Sequence, residues 1–218
     1  PGASGVAGIP NGTGAATSTG TTTGTTANTA FANAQIPFTD VPASSAQRTA
    51  IGYVYSKGLM TGTNATSFSP DTTVSRAMVV AILHRLEGSP SAAKADFEDV
   101  EEGQWYEAPI AWASANNIVS GYSDDKFGPE DTVTKEQLVS ILARYSLLKK
   151  YDTIARADIS GYTDSAKVSQ YALGAMQWAA GKQLFAESTL KTLNPTDAMT
   201  RAQTADMLMR FCQNVANI

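Results

Sequence analysis

The sequence predicts an all-α protein of three tandem helix-loop-helix repeats closed around a pseudo-threefold axis, preceded by an extended Gly/Thr-rich tail. Three observations carry this. A proline followed six residues later by a basic residue, itself behind a hydroxyl residue, occurs three times: Pro70 with Ser75-Arg76, Pro129 with Thr134-Lys135, and Pro195 with Thr200-Arg201. The copies also align by counting, since Asp40 and Asp99, Tyr53 and Trp112, Gly62 and Gly121, and Arg76 and Lys135 are all 59 residues apart. Finally, apolar residues at helical spacing follow each basic residue: Val79, Ile82, Leu83 and Leu86 in the first copy, Leu138, Ile141, Leu142, Tyr145 and Leu148 in the second. Repetition at a fixed period outranks any local motif in deciding a fold. A two-helix unit cannot bury its own apolar face, so several must share a core. Compact closure with one helix of each copy in a central bundle is favoured over an open stack, because there are three copies.

The third copy sits 66 residues beyond the second by Trp112 and Trp178, but 65 by Asp99 and Asp164, so one residue is inserted near its first helix. This register sets Gln170 against Trp105 and Glu187 against Gly121. In the first helix of the second copy, Pro109 is tolerated only in the opening turn. Asn117, and Gly58 in the first copy, mark its end, where the chain turns left-handed. Ser75, Thr134 and Thr200 stand where N-caps belong. Thr134 with Gln137 and Thr200 with Gln203 complete capping boxes, whereas Met78 leaves the first copy with half of one. The expected organisation is a linker or tether over 1–36, repeats over 37–95, 96–160 and 161–218, and one compact domain over 37–218.

Residues 1–36 hold no Asp, Glu, Lys or Arg and are mostly Gly, Ala and Thr. Such a segment lacks the apolar surface to offset its ordering entropy and reads as a tether. Its rival reading is a threonine-rich strand pairing with another chain. The start at Pro1 suggests a processed or truncated piece. A net charge of -4 argues against nucleic-acid binding, and no run is long enough to cross a bilayer. Cys212 and His84 are each the sole residue of their type, so neither a disulfide framework nor a zinc site is expected, and no cofactor.

The segments Phe38-Thr39-Asp40-Val41 and Phe97-Glu98-Asp99-Val100, with Trp105-Tyr106, Ala111-Trp112-Ala113, Ile118-Val119-Ser120-Gly121, Ser75-Arg76-Ala77 and Thr200-Arg201-Ala202, resemble the S-layer homology family. The resemblance covers 37–218 and implies a three-pronged spindle of helices. It also implies a secreted protein of a mostly Gram-positive lineage, held at the cell wall without a covalent bond. The implied ligand is a pyruvylated secondary wall polysaccharide gripped in grooves between prongs, and the implied partner in the same chain is a passenger N-terminal to this segment.

A ketal-pyruvate carboxylate suits the repeat signature. Helix starts capped by Ser75 or Thr134 are expected to leave N–H donors free for an anion. Arg76 and Arg201 offer a planar fork that Lys135 lacks. Gly62 and Gly121 would let a backbone N–H approach closely, while Asp40, Asp99 or Trp105 would orient or stack on the sugar. Plainer roles stand beside these. In these the arginines pair with surface carboxylates, the acids cap the first helix or bind Arg85, Arg144 and Arg210, and the glycines only serve positive φ. Trp112 and Trp178 read as core. The signature transfers best to the first copy, partly to the second and least to the third, with Arg76 the foremost anchor. Two other functions compete: a module that takes a peptide or neighbouring subunit in the same grooves, and, far behind, an enzyme using Asp124, Asp125, Glu130 and Asp131. Those acids also lack the alternating ligands of a calcium loop.

Overall fold

The computed structural model describes residues 35–186 and 191–218; the proposed tether up to residue 34, and Glu187, lie outside them. Six α-helices are formed: α1 Arg48–Ser56, α2 Arg76–Leu86, α3 Glu107–Ala115, α4 Lys135–Leu148, α5 Leu173–Gly181 and α6 Arg201–Phe211. No strand is present among the described residues, so the chain is all-α, with two helices to each repeat.

Local chemistry sets the helix bounds as the sequence leads one to expect. Ser75, Thr134 and Thr200 are extended-backbone N-caps that accept from Met78, Gln137 and Gln203 N–H, and the last two complete capping boxes. Pro109 is the third residue of α3, where its missing N–H costs nothing. The first helix of every repeat ends in one motif. Gly58, Asn117 and Gln183 turn left-handed, and the buried Leu59, Ile118 and Leu184 that follow donate back to Val54, Ala113 and Ala179 carbonyls.

Packing does not respect repeat boundaries. Helix α2 pairs with α3, α4 with α5, and α6 closes the ring on α1. Each second helix thus covers the first helix of the next repeat, so no single repeat could keep its core dry. The second helices meet where they begin. Val74 N–H donates to Met199 O, Met199 N–H to Val133 O, and Val133 N–H to Val74 O, a closed triangle of 2.9 to 3.0 Å bonds around the axis. The same three side chains are buried, with Phe68, Phe127, Leu142, Tyr145, Trp178 and Phe211 among the residues filling the spindle. Trp112 and Trp178 are core residues, and Trp105 is half exposed.

A second threefold device holds each loop before a second helix. Asp40 accepts from Phe68 and Ser69 N–H, Asp99 from Phe127 and Gly128, and Asp164 from Leu193 and Asn194, at 2.7 to 2.9 Å. Ser69, Gly128 and Asn194 all have positive φ, which turns two successive N–H groups toward one carboxylate. The acids therefore neither cap the first helix nor bind the second set of arginines; Arg210 instead pairs with Asp206 at 2.9 Å.

Burial raises the Asp164 carboxyl, yet the Leu193 and Asn194 donors outweigh it and hold the group below its ordinary value. A carboxyl lowered in the folded state stabilises fully above its unfolded pKa of about 4, and that stabilisation is lost as pH falls through the folded value. Asp164→Ala should therefore cost about 2 kcal/mol at pH 7. In urea melts the gap to the parent should narrow as pH drops below about 4. Thr204 is wholly buried in α6, and its hydroxyl finds no partner among the described residues, while Leu138 and Val79 occupy the equivalent positions. Thr204→Val should stabilise by about 1 kcal/mol, visible as a Tm rise of about 2–4 °C.

Candidate functional site

The anion cradle expected at the helix starts is closed. Arg76 and Ala77 N–H donate to Asp131 and Pro129 carbonyls, Lys135 and Glu136 to Asp197 and Pro195, and Arg201 and Ala202 to Thr72 and Pro70. The next N–H in each helix goes to the cap hydroxyl. Every second helix thus uses its first donors to dock on the loop of another repeat, and Ser75 and Thr134 serve as caps. The sequence could not show this, because the acceptors lie more than 50 residues away.

The basic side chains do reach clefts. Arg76 Nε donates to Phe127 O at 3.0 Å and its Nη2 to Ser120 O at 3.2 Å. Its Cζ lies 4.5 Å from the Tyr122 ring centre and 4.7 Å from that of Phe127. Arg201 repeats the arrangement one-third of a turn away, with Nε on Phe68 O at 2.7 Å, Nη2 on Thr61 O at 2.6 Å, and the Phe68 ring beneath it at 4.5 Å. Lys135, with one nitrogen, donates among the described residues to the equivalent Leu193 O alone, at 2.6 Å. Neither arginine has an ion-pair partner among the described residues. Burial lowers the pKa of both, opposed for Arg76 by Tyr122 and Asp131 and for Arg201 by Asp40. Burial likewise lowers Lys135, against Asp197 and Asp164.

Each cleft draws on several repeats. The first, about 360 Å³, sets Arg76 of the first repeat against Gly121 and Tyr122 and the α4 face Gln137, Ser140 and Arg144 of the second, with Tyr171 of the third. The second, about 190 Å³, joins Lys135 to Phe185, Gln203 and Asp206. The third, about 70 Å³, joins Arg201 to Thr61, Met78, Ile82, Arg85 and Trp105. Tyr171 therefore holds the place in the first cleft that Trp105 holds in the third. This corrects the match of Gln170 to Trp105: the inserted residue falls earlier, in the stretch containing the short 3-10 turn Ser165–Lys167.

The predicted site residues thus separate. Arg76 shares a cleft with Gly121, and Arg201 with Trp105, while Lys135 stands in a third. Asp40 and Asp99 engage both oxygens on backbone N–H and act at one remove. They fix the Phe68 and Phe127 peptides whose carbonyls hold Arg201 and Arg76. Gly62 and Gly121 do not have positive φ. A Cβ on Gly121 would meet Ser123 O at 2.3 Å and Lys126 O at 2.4 Å, and one on Gly62 would meet Asn64 O at 2.4 Å. Their own turns, rather than a ligand, require glycine.

Tyr122, Gln137, Ser140, Arg144 and Tyr171 were missed by sequence reasoning. The α4 members recur at i, i+3 and i+7 from Gln137, a spacing legible once the helix is assigned. Tyr171 is fixed by the buried Glu136, which accepts from its hydroxyl at 3.2 Å and from Ser169 N–H and hydroxyl at 2.9 and 2.7 Å. Burial and Glu136 push the Tyr171 hydroxyl up to about 12. The acids Asp124, Asp125, Glu130 and Asp131 are exposed loop residues. Because the crowding atoms are backbone, Gly121→Ala should lower stability by about 1–3 kcal/mol and reduce Tm measurably even without ligand.

The family model for the S-layer homology domain matches residues 37–77, 96–139 and 161–205. The chain is similar to an endoglucanase of Bacillus sp. (strain KSM-635), at 29% identity over 83% of this chain and 19% of that protein. It is also similar to the exoglucanase XynX of Acetivibrio thermocellus, at 26% over 84% of this chain and 17% of that protein. A cellulosome-anchoring protein of Acetivibrio thermocellus matches at 26% identity over 54% of this chain and 27% of its own length. The chain thus spans less than a fifth of either glucanase. With three matched segments set on a threefold spindle, the chain belongs to the S-layer homology domain family and is a cell-surface anchoring module.

Proposed function

We propose that this module tethers an attached protein to the wall of the secreting bacterium by binding a pyruvylated wall polysaccharide, and that the Arg76 cleft is the principal site. One observation carries the reading. Arg76 is 6% exposed, lies at a cleft, and among the described residues is held only by carbonyls and aromatic faces. A buried charge without an ion pair is costly, and an arriving carboxylate offsets that cost. The two carbonyls use Nε and one Nη2 proton, which orients the fork and leaves Nη1 for the ligand.

The other clefts are poorer. Asp206 stands in the Lys135 cleft where Ser140 stands in the first, and a carboxylate there repels an anionic sugar. The Arg201 cleft is narrow and lined by Met78 and Ile82. Residues 1–36 would connect the spindle to its passenger, and the glucanase relatives show that such modules occur within much longer proteins. The module itself carries no reaction in this reading.

Sedimentation with purified wall material tests the proposal. Arg76→Ala should lower the bound fraction at least about tenfold, and Arg201→Ala less than about threefold. Equal losses would refute the ranking of clefts. Wall material stripped of pyruvyl groups should bind neither parent nor variant. Undiminished binding to it would move the function to a protein partner.

A further inference from the structure

Arg144 presents a second cation in the Arg76 cleft. It lies on α4 in line with Gln137, Ser140 and Ile141, is exposed, and makes no hydrogen bond or ion pair among the described residues. Its counterparts are committed. Arg210 pairs with Asp206, and Arg85 donates to Ala81 O beside a cleft of about 70 Å³. Among these three, only Arg144 faces an open cleft with its guanidinium unengaged.

The cleft has little negative charge to balance the pair. Asp131 acts on Arg76 from a distance without pairing with it. Glu136 is buried, with its oxygens on Ser169 and Tyr171. Arg144 is near enough for its charge to oppose that of Arg76, so both cations act on the same space. The same cleft has polar lining from Gln137 and Ser140 and aromatic lining from Tyr122 and Tyr171. Tyr122 and Tyr171 are 55% and 60% exposed, which leaves ring surface free for a sugar.

We infer that this cleft takes an acidic glycan segment carrying two negative charges. The carboxylate sits on Arg76 and a second acidic substituent on Arg144. This rests on the glycan-binding reading above and adds the charge of the ligand.

The test uses the intact chain, with calorimetry on two probes: purified pyruvylated wall polysaccharide, and a simple glycoside of one pyruvylated sugar. Arg144→Gln should weaken polysaccharide binding about tenfold and leave the one-sugar glycoside within about twofold of the parent. Arg144→Lys should retain most of the polysaccharide affinity. Since Arg144 is exposed, its variants should melt like the parent; Arg76→Gln is compared only after its thermal melt shows a folded chain. Equal weakening on both probes would overturn the inference by placing both arginines on one carboxylate. No effect of Arg144→Gln on the polysaccharide, with Arg76→Gln impaired, would overturn it while leaving the glycan-binding reading intact. If neither variant changes polysaccharide binding, the reading and the inference both fail.

Discussion

The structure depends on three main-chain hydrogen bonds joining Val74, Val133 and Met199 around the axis. Each residue donates to one partner and accepts from the other, so no edge is left and no repeat is first or last. Main-chain groups buried at such a centre must be paired, and the cyclic order pairs them without a sheet. The triangle also brings the starts of the second helices together. Their leading N–H groups then dock on Pro70, Pro129 and Pro195 carbonyls, and the exchange of helices between neighbours follows.

That docking explains why the helix starts do not bind anions here. A helix N-terminus favours negative charge through free N–H groups, and these are already engaged with carbonyls of another repeat. In the proposed reading, binding is displaced outward by one side chain, to the guanidinium of the first helical residue. The carboxylates of Asp40 and Asp99 support that displacement. They fix the peptides of Phe68 and Phe127, whose carbonyls in turn hold Arg201 and Arg76. Hydrogen-bond chains of this kind polarise one another, so an acid well away from the cleft sets the geometry within it.

The fold was legible because its determinants are local and triplicated: caps, left-handed helix ends, the Pro-to-basic spacing and the apolar period. The counting register placed every helix pair. The clefts were less legible, since each is assembled from positions far apart in the chain. Arg76 and Gly62 belong to one repeat, yet Arg76 faces Gly121 and the Gly62 loop faces Arg201. Reading each repeat as its own site therefore grouped the wrong partners. The glycines misled for a related reason: sequence distinguishes a need for positive φ poorly from crowding by a turn's own carbonyls. The one-residue insertion displaced the match for Trp105, and only the cleft itself identifies Tyr171 as its counterpart.

Cyclic exchange has a consequence for how such a module diverges. A substitution in one repeat changes a cleft whose basic residue belongs to another, so the three clefts vary separately although their scaffold stays common. Asp206 affects the site of Lys135, and Trp105 that of Arg201. The first cleft combines an arginine fork, a second unengaged arginine, a glycine-tight turn and a tyrosine held by Glu136, contributed by all three repeats. Because Glu136 replaces the alanines of Ala77 and Ala202, the tyrosine's support is special to that cleft. One strong site beside two weaker ones, as proposed, is therefore compatible with a threefold arrangement of main-chain bonds, since those bonds leave the cleft side chains free to differ.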